Sequence, residues 1–512
     1  MTKTRLSAMF ALACVAVPAA TAIVRAQKSP DLAAFDKYVA QAARDWKVPG
    51  LAIAIVKDDS LVFAKGYGVL EVGKPAPATE HTRFAIGSTT KAMTTAALAM
   101  LIDEGKLHWD DRVIDYLPEL RLYDAYATHE LTVRDLLTHR SGLPNTDLLW
   151  AVPENNYNIP EMMRRLRYVP PQSSFRSHWE YQNVVYSIAG LLVERISGMP
   201  WETFIRTRIF APLQMTESIP LVSLLKGQPN VAVPHDLEHD TVRTVAIRTT
   251  DVIAAAGSVW SSVSDMSKWM RFMLDSGRVG SKRLIQPATF AEIVAPQMRA
   301  PMAEYPALEL ARPHFFSYAL GWFVQDYHGE TVWMHTGSID GMIAIIGLMP
   351  DKRTGVYVLA NLDHAELRHA LMYTVFDLYN GTPRDSARDW SADLKKLFDA
   401  RRAAAAKAAA AAPKPPAGTH PSLPLDKYAG TYADSAYGTV VVTLANGSLR
   451  AKYGNWDIGE LQPAFYDTFK SRKRDPLQGV TDVTFIPDGA GGISAVQMFG
   501  QPFSRATPSD MK

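Results

Sequence analysis

Phe84-Ala85-Ile86-Gly87-Ser88-Thr89-Thr90-Lys91 decides how the chain is read, because it sets a hydroxyl and an amine three residues apart at the head of an apolar segment. Behind it, Met93, Ala96, Ala97, Met100 and Leu101 recur at three- and four-residue spacing, which predicts a helix over residues 89–103 closed by Gly105. That spacing puts Ser88 and Lys91 on one helical face. A serine hydroxyl is a poor nucleophile at neutral pH and needs a base within hydrogen-bond reach. In the first turn, free N–H groups and the helix dipole favour developing negative charge. A desolvated Lys91 would give up its proton and be able to take one from Ser88. Gly87 permits a tight backbone approach. The alternative at this position is an ordinary N-capping serine. Spacing alone does not separate the two, since Ser223-Leu224-Leu225-Lys226 and Ser509-Asp510-Met511-Lys512 match as well. Neither of those opens a long amphipathic helix.

Outward from this segment the pattern is mixed. Residues 51–56 and 61–64 read as a hairpin around Asp58-Asp59, and residues 342–349 and 356–361 as strands around a turn at 350–355. Helical periodicity recurs at 133–137, 186–196 and 266–274. Early and late strands with helices between them predict one antiparallel sheet built from both ends of the domain, with a helical insertion. Beyond residue 400 the composition breaks. Residues 401–416 run RRAAAAKAAAAAPKPP, a helix-favouring alanine tract ended by prolines. After it, residues 438–444 and 449–453 flank Asn446-Gly447, and residues 483–486 and 493–499 flank a glycine-rich turn. Both are hairpin signals, and together they predict a small all-β module.

Two further elements stand in order after Ser88. Tyr181-Gln182-Asn183 precedes the helix at 186–196, and His335-Thr336-Gly337-Ser338 leads into the strand at 342–349. The order S-x-x-K, Y-x-N, [K/H]-T-G resembles the penicillin-binding-protein and class C β-lactamase-like serine hydrolases, over about residues 31–379. Leu136-Leu137-Thr138-His139-Arg140-Ser141-Gly142-Leu143 and Gly347-Leu348-Met349-Pro350-Asp351 belong to the same resemblance. Tyr453-Gly454-Asn455 and Arg353-Thr354-Gly355 match by chance, one in the β module and one in a turn.

The resemblance implies an α/β (α+β) fold, an antiparallel sheet flanked by helices, with the C-terminal module a lipocalin-like barrel. It implies acylation of Ser88, with Lys91 and Tyr181 sharing the base and acid roles. Asn183 would bond Lys91 or the substrate amide, and the N–H groups of Ser88 and Ser338 would form an oxyanion hole. His335, Thr336 and Gly337 would line the opposite wall on an edge strand. Histidine stands at 335 where many relatives carry lysine; it is largely neutral near pH 7, which weakens a dedicated β-lactamase reading. Taken singly, Tyr181, Asn183 and His335 also fit as an aromatic, a helix cap and a core histidine.

Composition bounds the rest. The chain has 512 residues, 47% hydrophobic and 21% charged, which fits a folded multidomain protein. It carries 54 Lys and Arg against 52 Asp and Glu; without Lys3, Arg5 and Arg25 the balance is 51 against 52. That near-neutral balance leaves no footprint for nucleic acid or an anionic membrane. Residues 1–26 read as a cleavable export signal whose apolar run is too short to span a bilayer, so a periplasmic or secreted location is expected. The one cysteine, Cys14, lies in that signal. His235-Asp236-Leu237-Glu238-His239 is read as a polar loop rather than a metal site, and no cofactor is expected. The expected layout is a signal at 1–26, a hydrolase domain at 27–397, a linker at 398–424 and a β domain at 425–512. The expected function is hydrolysis of a small-molecule or peptide substrate (amide, peptide or ester; D-aminopeptidase, D,D-carboxypeptidase or esterase type). A binding or sensor protein that keeps the fold without turnover is the alternative.

Overall fold

The computed structural model describes residues 30–152, 157–238, 240–381, 387–411, 416, 418–472 and 479–506. The export signal with Cys14, the Ser509–Lys512 pair, His239 and part of the Ala/Pro tract lie outside the described residues.

The elements that position the site run as follows: helix α1 (Leu32–Asp45), strands β1 (Gly50–Lys57) and β2 (Ser60–Gly68), then helices α2 (Lys91–Asp103), α3 (Ile159–Arg165), α4 (Asn183–Ser197) and α5 (Val263–Leu274). Strands β3 (Met298–Arg299), β4 (Phe316–Tyr318), β5 (Phe323–Tyr327), β6 (Glu330–Ile339), β7 (Met342–Met349) and β8 (Thr354–Ala360) follow, then helices α6 (Leu367–Tyr379) and α7 (Trp390–Ala411). The main sheet has the order β2-β1-β8-β7-β6-β5-β4-β3 with every neighbouring pair antiparallel. Its two ends in sequence thus meet at the β1–β8 pair, where Leu51 faces Ala360.

The sheet is covered on both faces, which is why its central strands are apolar throughout rather than alternating. Leu51, Ile53 and Ile55 pack with α1 and α6 in one core, while Ala52, Ala54 and Val56 face α2 and α5 in the other. Each of the fully buried Leu, Ile and Val side chains among them is worth about 1.5–3 kcal/mol. The β1–β2 hairpin turns at Asp58 and Asp59, with φ of 48° and 64°. Acidic residues tolerate that left-handed geometry, which the primed turn of a two-residue hairpin demands.

The C-terminal module is a closed eight-stranded antiparallel barrel, running from Gly430–Asp434 to Gln501–Arg505, with the last strand pairing back onto the first at Tyr432 and Ala433. Asn446 and Gly447 take φ of 52° and 76° in the two-residue turn of its second hairpin. Side chains fill the interior, among them Tyr428, Tyr432, Phe469, Phe485 and Phe503. Arg165 on α3 holds the barrel to the body: its guanidinium lies 4.1 Å from the Tyr157 ring and donates to the carbonyl of Ala436 at 3.0 Å.

Three expectations need correction. Alanines carry α7 without a break from the packed Trp390 and Leu394 to residue 411, so position 398 lies inside a helix, with Phe398 against Trp46. His235-Asp236-Leu237-Glu238 is a strand, not a loop. His235 is buried in it, bonded through its ring nitrogens to the Asn361 carbonyl and the Val72 N–H. Strand β6 is interior to the sheet rather than an edge; its pairing with β5, however, covers only Glu330–Met334, while pairing with β7 extends to Ile339. Among the described residues no helix is long and apolar enough to cross a membrane.

Candidate active site

Ser88 lies in a 3-10 turn (Gly87–Thr90) that leads straight into α2, which starts at Lys91, two residues later than the sequence predicts. Residues Lys91 to Leu101 are buried all round, so this helix is a central element and its polar side chains must find partners inside. Thr94 donates to the Ala255 carbonyl at 2.7 Å, and Thr95 meets the Tyr186 hydroxyl at 2.7 Å. The helix is thereby locked against α4.

Lys91 is fully buried. Its Nζ lies 2.7 Å from Asn183 Oδ1, 3.0 Å from the Ala256 carbonyl and 3.1 Å from Ser88 Oγ. Burial lowers its pKa to about 7 against the opposing pull of the Asp147 carboxylate. Amine and ammonium therefore coexist near neutral pH. Two of the three partners can only accept. A neutral amine donates its two hydrogens to Asn183 and Ala256, and its lone pair is left for the Ser88 hydroxyl.

Asn183, the first residue of α4, is turned by Asp147. Its Nδ2 donates to Asp147 Oδ2 at 2.9 Å, which points Oδ1 at Lys91. Asp147 Oδ1 in turn accepts from Trp150 Nε1 at 2.8 Å. Tyr181, partly buried, lines the cavity beside Ser88, and its ring lies 4.7 Å from Lys91 Nζ. Burial pushes the phenol well above its ordinary range, with the nearby Ser88 hydroxyl opposing, so the hydroxyl stays protonated at neutral pH. The His139 ring supports it from behind at 4.3 Å between centroids.

Two glycines bring the serine turn and β6 together. A Cβ on Gly87, whose φ is +51°, would lie 2.8 Å from Ser338 N, and one on Gly337 would lie 2.0 Å from the Ile86 carbonyl oxygen and 3.1 Å from Ser88 N. Only glycine at both positions permits that approach. The backbone nitrogens of Ser88 and Ser338 consequently border the same spot.

A cavity of about 500 Å³ opens over Ser88. Ser88, Tyr181, Asn183, Thr336 and Ser338 line it; His335 and Gly337 do not. His335 is buried behind, with Nδ1 2.6 Å from the Thr336 carbonyl and Nε2 2.9 Å from the Tyr318 hydroxyl. The carbonyl can only accept, so Nδ1 carries the proton and Nε2 receives the Tyr318 hydrogen. Burial, helped by the Lys91 charge, lowers its pKa to about 3, so it is a neutral ring with both nitrogens occupied.

Sequence reasoning missed Asp147, Glu304, Glu366 and Arg368, all of which line the cavity. Arg368 donates to Ser338 Oγ at 2.8 Å and to the Gly337 carbonyl at 2.7 Å, and pairs with Glu366 at 2.7 Å. These residues come from loops and a helix start with no periodic signal, so no local pattern marks them. Among the described residues no three His, Cys, Asp or Glu side chains are arranged to hold a metal ion.

Comparison with known proteins agrees with this architecture. A family model described as Beta-lactamase matches residues 35–379, and one described as a domain of unknown function, DUF3471, matches residues 414–510. The unguisins hydrolase ungD of Aspergillus violaceofuscus is 27% identical over 446 residues, covering 81% of this chain and 78% of that protein. The octameric penicillin-binding protein homologue from Pyrococcus abyssi superposes with a TM-score of 0.60 at 22% identity, covering 92% of this chain and 99% of that one. A class C beta lactamase from Rhodobacter sphaeroides gives 0.55 at 20% identity, covering 67% and 98%. Since the first match takes in most of the chain, the protein belongs to the beta-lactamase family.

Proposed function

We propose that the protein is a serine hydrolase that works through an acyl-Ser88 intermediate on a peptide, amide or ester. The observation that carries this is the disposition of Lys91, whose hydrogens are taken by Asn183 and Ala256 so that its lone pair falls to Ser88. The amine takes the Ser88 proton as Oγ bonds to the acyl carbon, and the N–H groups of Ser88 and Ser338 receive the oxyanion. Tyr181, protonated and lining the cavity beside Ser88, gives its hydrogen to the leaving group. Its phenolate, beside the Lys91 ammonium, then takes a proton from water, and hydroxide attacks the ester carbon. As the second tetrahedral intermediate collapses, Ser88 Oγ recovers a proton from Lys91. Thr336 and Ser338 line the wall along which an extended acyl group would lie. The relative named as an unguisins hydrolase supports hydrolysis as the outcome.

The test is labelling by a serine-directed fluorophosphonate and hydrolysis of p-nitrophenyl acetate. Wild type should be labelled at Ser88, found by peptide mass spectrometry, and Ser88→Ala should lose both label and turnover. Retained turnover in that variant removes the mechanism, and labelling without turnover supports the binding or sensor reading. Export through residues 1–26 to the periplasm or medium belongs to the same proposal, and N-terminal sequencing of the mature protein checks it.

A further inference from the structure

The charges that line the Ser88 cavity differ in how they are satisfied. Arg368 is matched by Glu366, which also meets His369. The Asp147 carboxylate is held by Asn183 and Trp150, both neutral donors. Glu304, at the end of a short turn (Met302–Glu304) before β4, lines the cavity beside Tyr305 and is only partly exposed. Among the described residues its carboxylate has neither an ion-pair partner nor a side-chain hydrogen bond. Position 335, meanwhile, supplies no cation, because the ring there is neutral and sealed behind Thr336. Three carboxylates, one guanidinium and the His364 ring line the cavity, with the Lys91 amine just beneath it near Asp147, and of the three carboxylates only that of Glu304 has no partner among the described residues.

An unmatched, half-enclosed carboxylate costs free energy that a bound cation would return. We infer that Glu304 selects acyl donors bearing a free ammonium group, such as amino-acid amides and peptides with an unblocked amine, and rejects their N-acylated or anionic counterparts. The inference rests on the acyl-Ser88 reading and names its substrate class. Burial raises the affinity of the Glu304 carboxyl for a proton, which is the same penalty seen without a cation present. Tyr305, whose hydroxyl meets Thr336 Oγ1 at 2.8 Å, ties this turn to the wall where the acyl group would lie.

The test compares D-alanine p-nitroanilide with its N-acetyl and N-succinyl derivatives, using p-nitrophenyl acetate to follow acylation independently of any amine. Wild type should favour the free amine over the N-acetyl compound in kcat/KM by roughly tenfold or more, the size expected of one charge-assisted contact. Glu304→Gln should collapse that ratio through KM, and Glu304→Lys should turn the preference toward the N-succinyl compound. Should p-nitrophenyl acetate acylate Ser88 while the N-acetyl compound is used equally well, or the ratio survive in both variants, Glu304 does not select an ammonium and the acyl-serine reading stands. Absence of Ser88 acylation by p-nitrophenyl acetate would overturn that reading and this inference with it.

Discussion

The helical wall of the cavity and the strand wall each hold a buried nitrogen base, Lys91 on α2 and His335 on β6. Both are stripped of water, and burial is the leading cause that lowers the proton affinity of each. Their surroundings then part company. Two acceptors use up the hydrogens of the Lys91 amine and leave its lone pair facing a hydroxyl that also faces the cavity. At His335 a carbonyl fixes the tautomer and Tyr318 occupies the remaining lone pair. Desolvation makes a base available; the count of donors and acceptors around it decides whether the base has work to do.

Replacing the amine gives the largest expected effect. Lys91→Met keeps the volume and apolar stem but removes the base, so the burst of p-nitrophenol from p-nitrophenyl acetate should slow by about 10²–10⁴-fold, the usual range for a positioned general base. In wild type the acylation rate should rise with pH through about 7 as the ammonium loses its proton. An unchanged burst in Lys91→Met, or a pH profile flat across that region, would break the contrast between the two walls.

How much of this was legible in the sequence follows from how local each relationship is. Ser88 and Lys91 are three residues apart on one turn, so their proximity is set by helix geometry before any tertiary contact forms. Tyr181 and His335 were recognisable only as members of an ordered set, since a tyrosine or a histidine alone carries no message. The antiparallel sheet was readable from strands at both ends of the domain, and the barrel from Asn446-Gly447 and the short strands around it. What could not be read is which side of a wall a side chain faces. Thr336 and His335 are adjacent on β6 and so point to opposite faces; which of the two meets the cavity is decided by tertiary packing, with Tyr318 and Phe323 covering the histidine. Glu304, Glu366, Arg368 and Asp147 reach the cavity only through long-range folding. Asp147 is the plainest case, an acid in an unpatterned loop that fixes the orientation of an amide 36 residues away.

His335 should affect stability more than chemistry. His335→Lys would put an unmatched ammonium beside Arg368 and Lys91 in a buried position, and a loss of about 3–5 kcal/mol is expected. His335→Gln keeps a donor and an acceptor, and acylation should stay within about tenfold of wild type. The folded ring binds its proton less tightly than an unfolded histidine, so its contribution is complete above about pH 6.5 and is lost as pH falls toward 3. His139 and His369 titrate in the same sense, so His335→Gln should reduce, not abolish, the acid destabilisation measured by urea unfolding across that window. Acylation that fell in His335→Gln as far as in Lys91→Met would make the two bases equivalent after all.

Asp147 sharpens the contrast with the smallest change, because it acts on Lys91 only through Asn183 and through space. Asp147→Asn offers one acceptor where two are needed, so either Trp150 Nε1 or Asn183 Nδ2 loses its partner. An Asn183 amide free to turn can aim its Nδ2 at the Lys91 lone pair and compete with Ser88 for it. The plateau rate of acylation should therefore fall, by about tenfold or less. The same substitution removes the carboxylate that holds the ammonium form in place, so the pH at which acylation switches on should move downward. A lower plateau reached at lower pH is the signature of a residue that positions the base electrostatically. A lower plateau with an unmoved midpoint would reduce Asp147 to a packing role, and the lone pair on Lys91 would owe its direction to Asn183 and Ala256 alone.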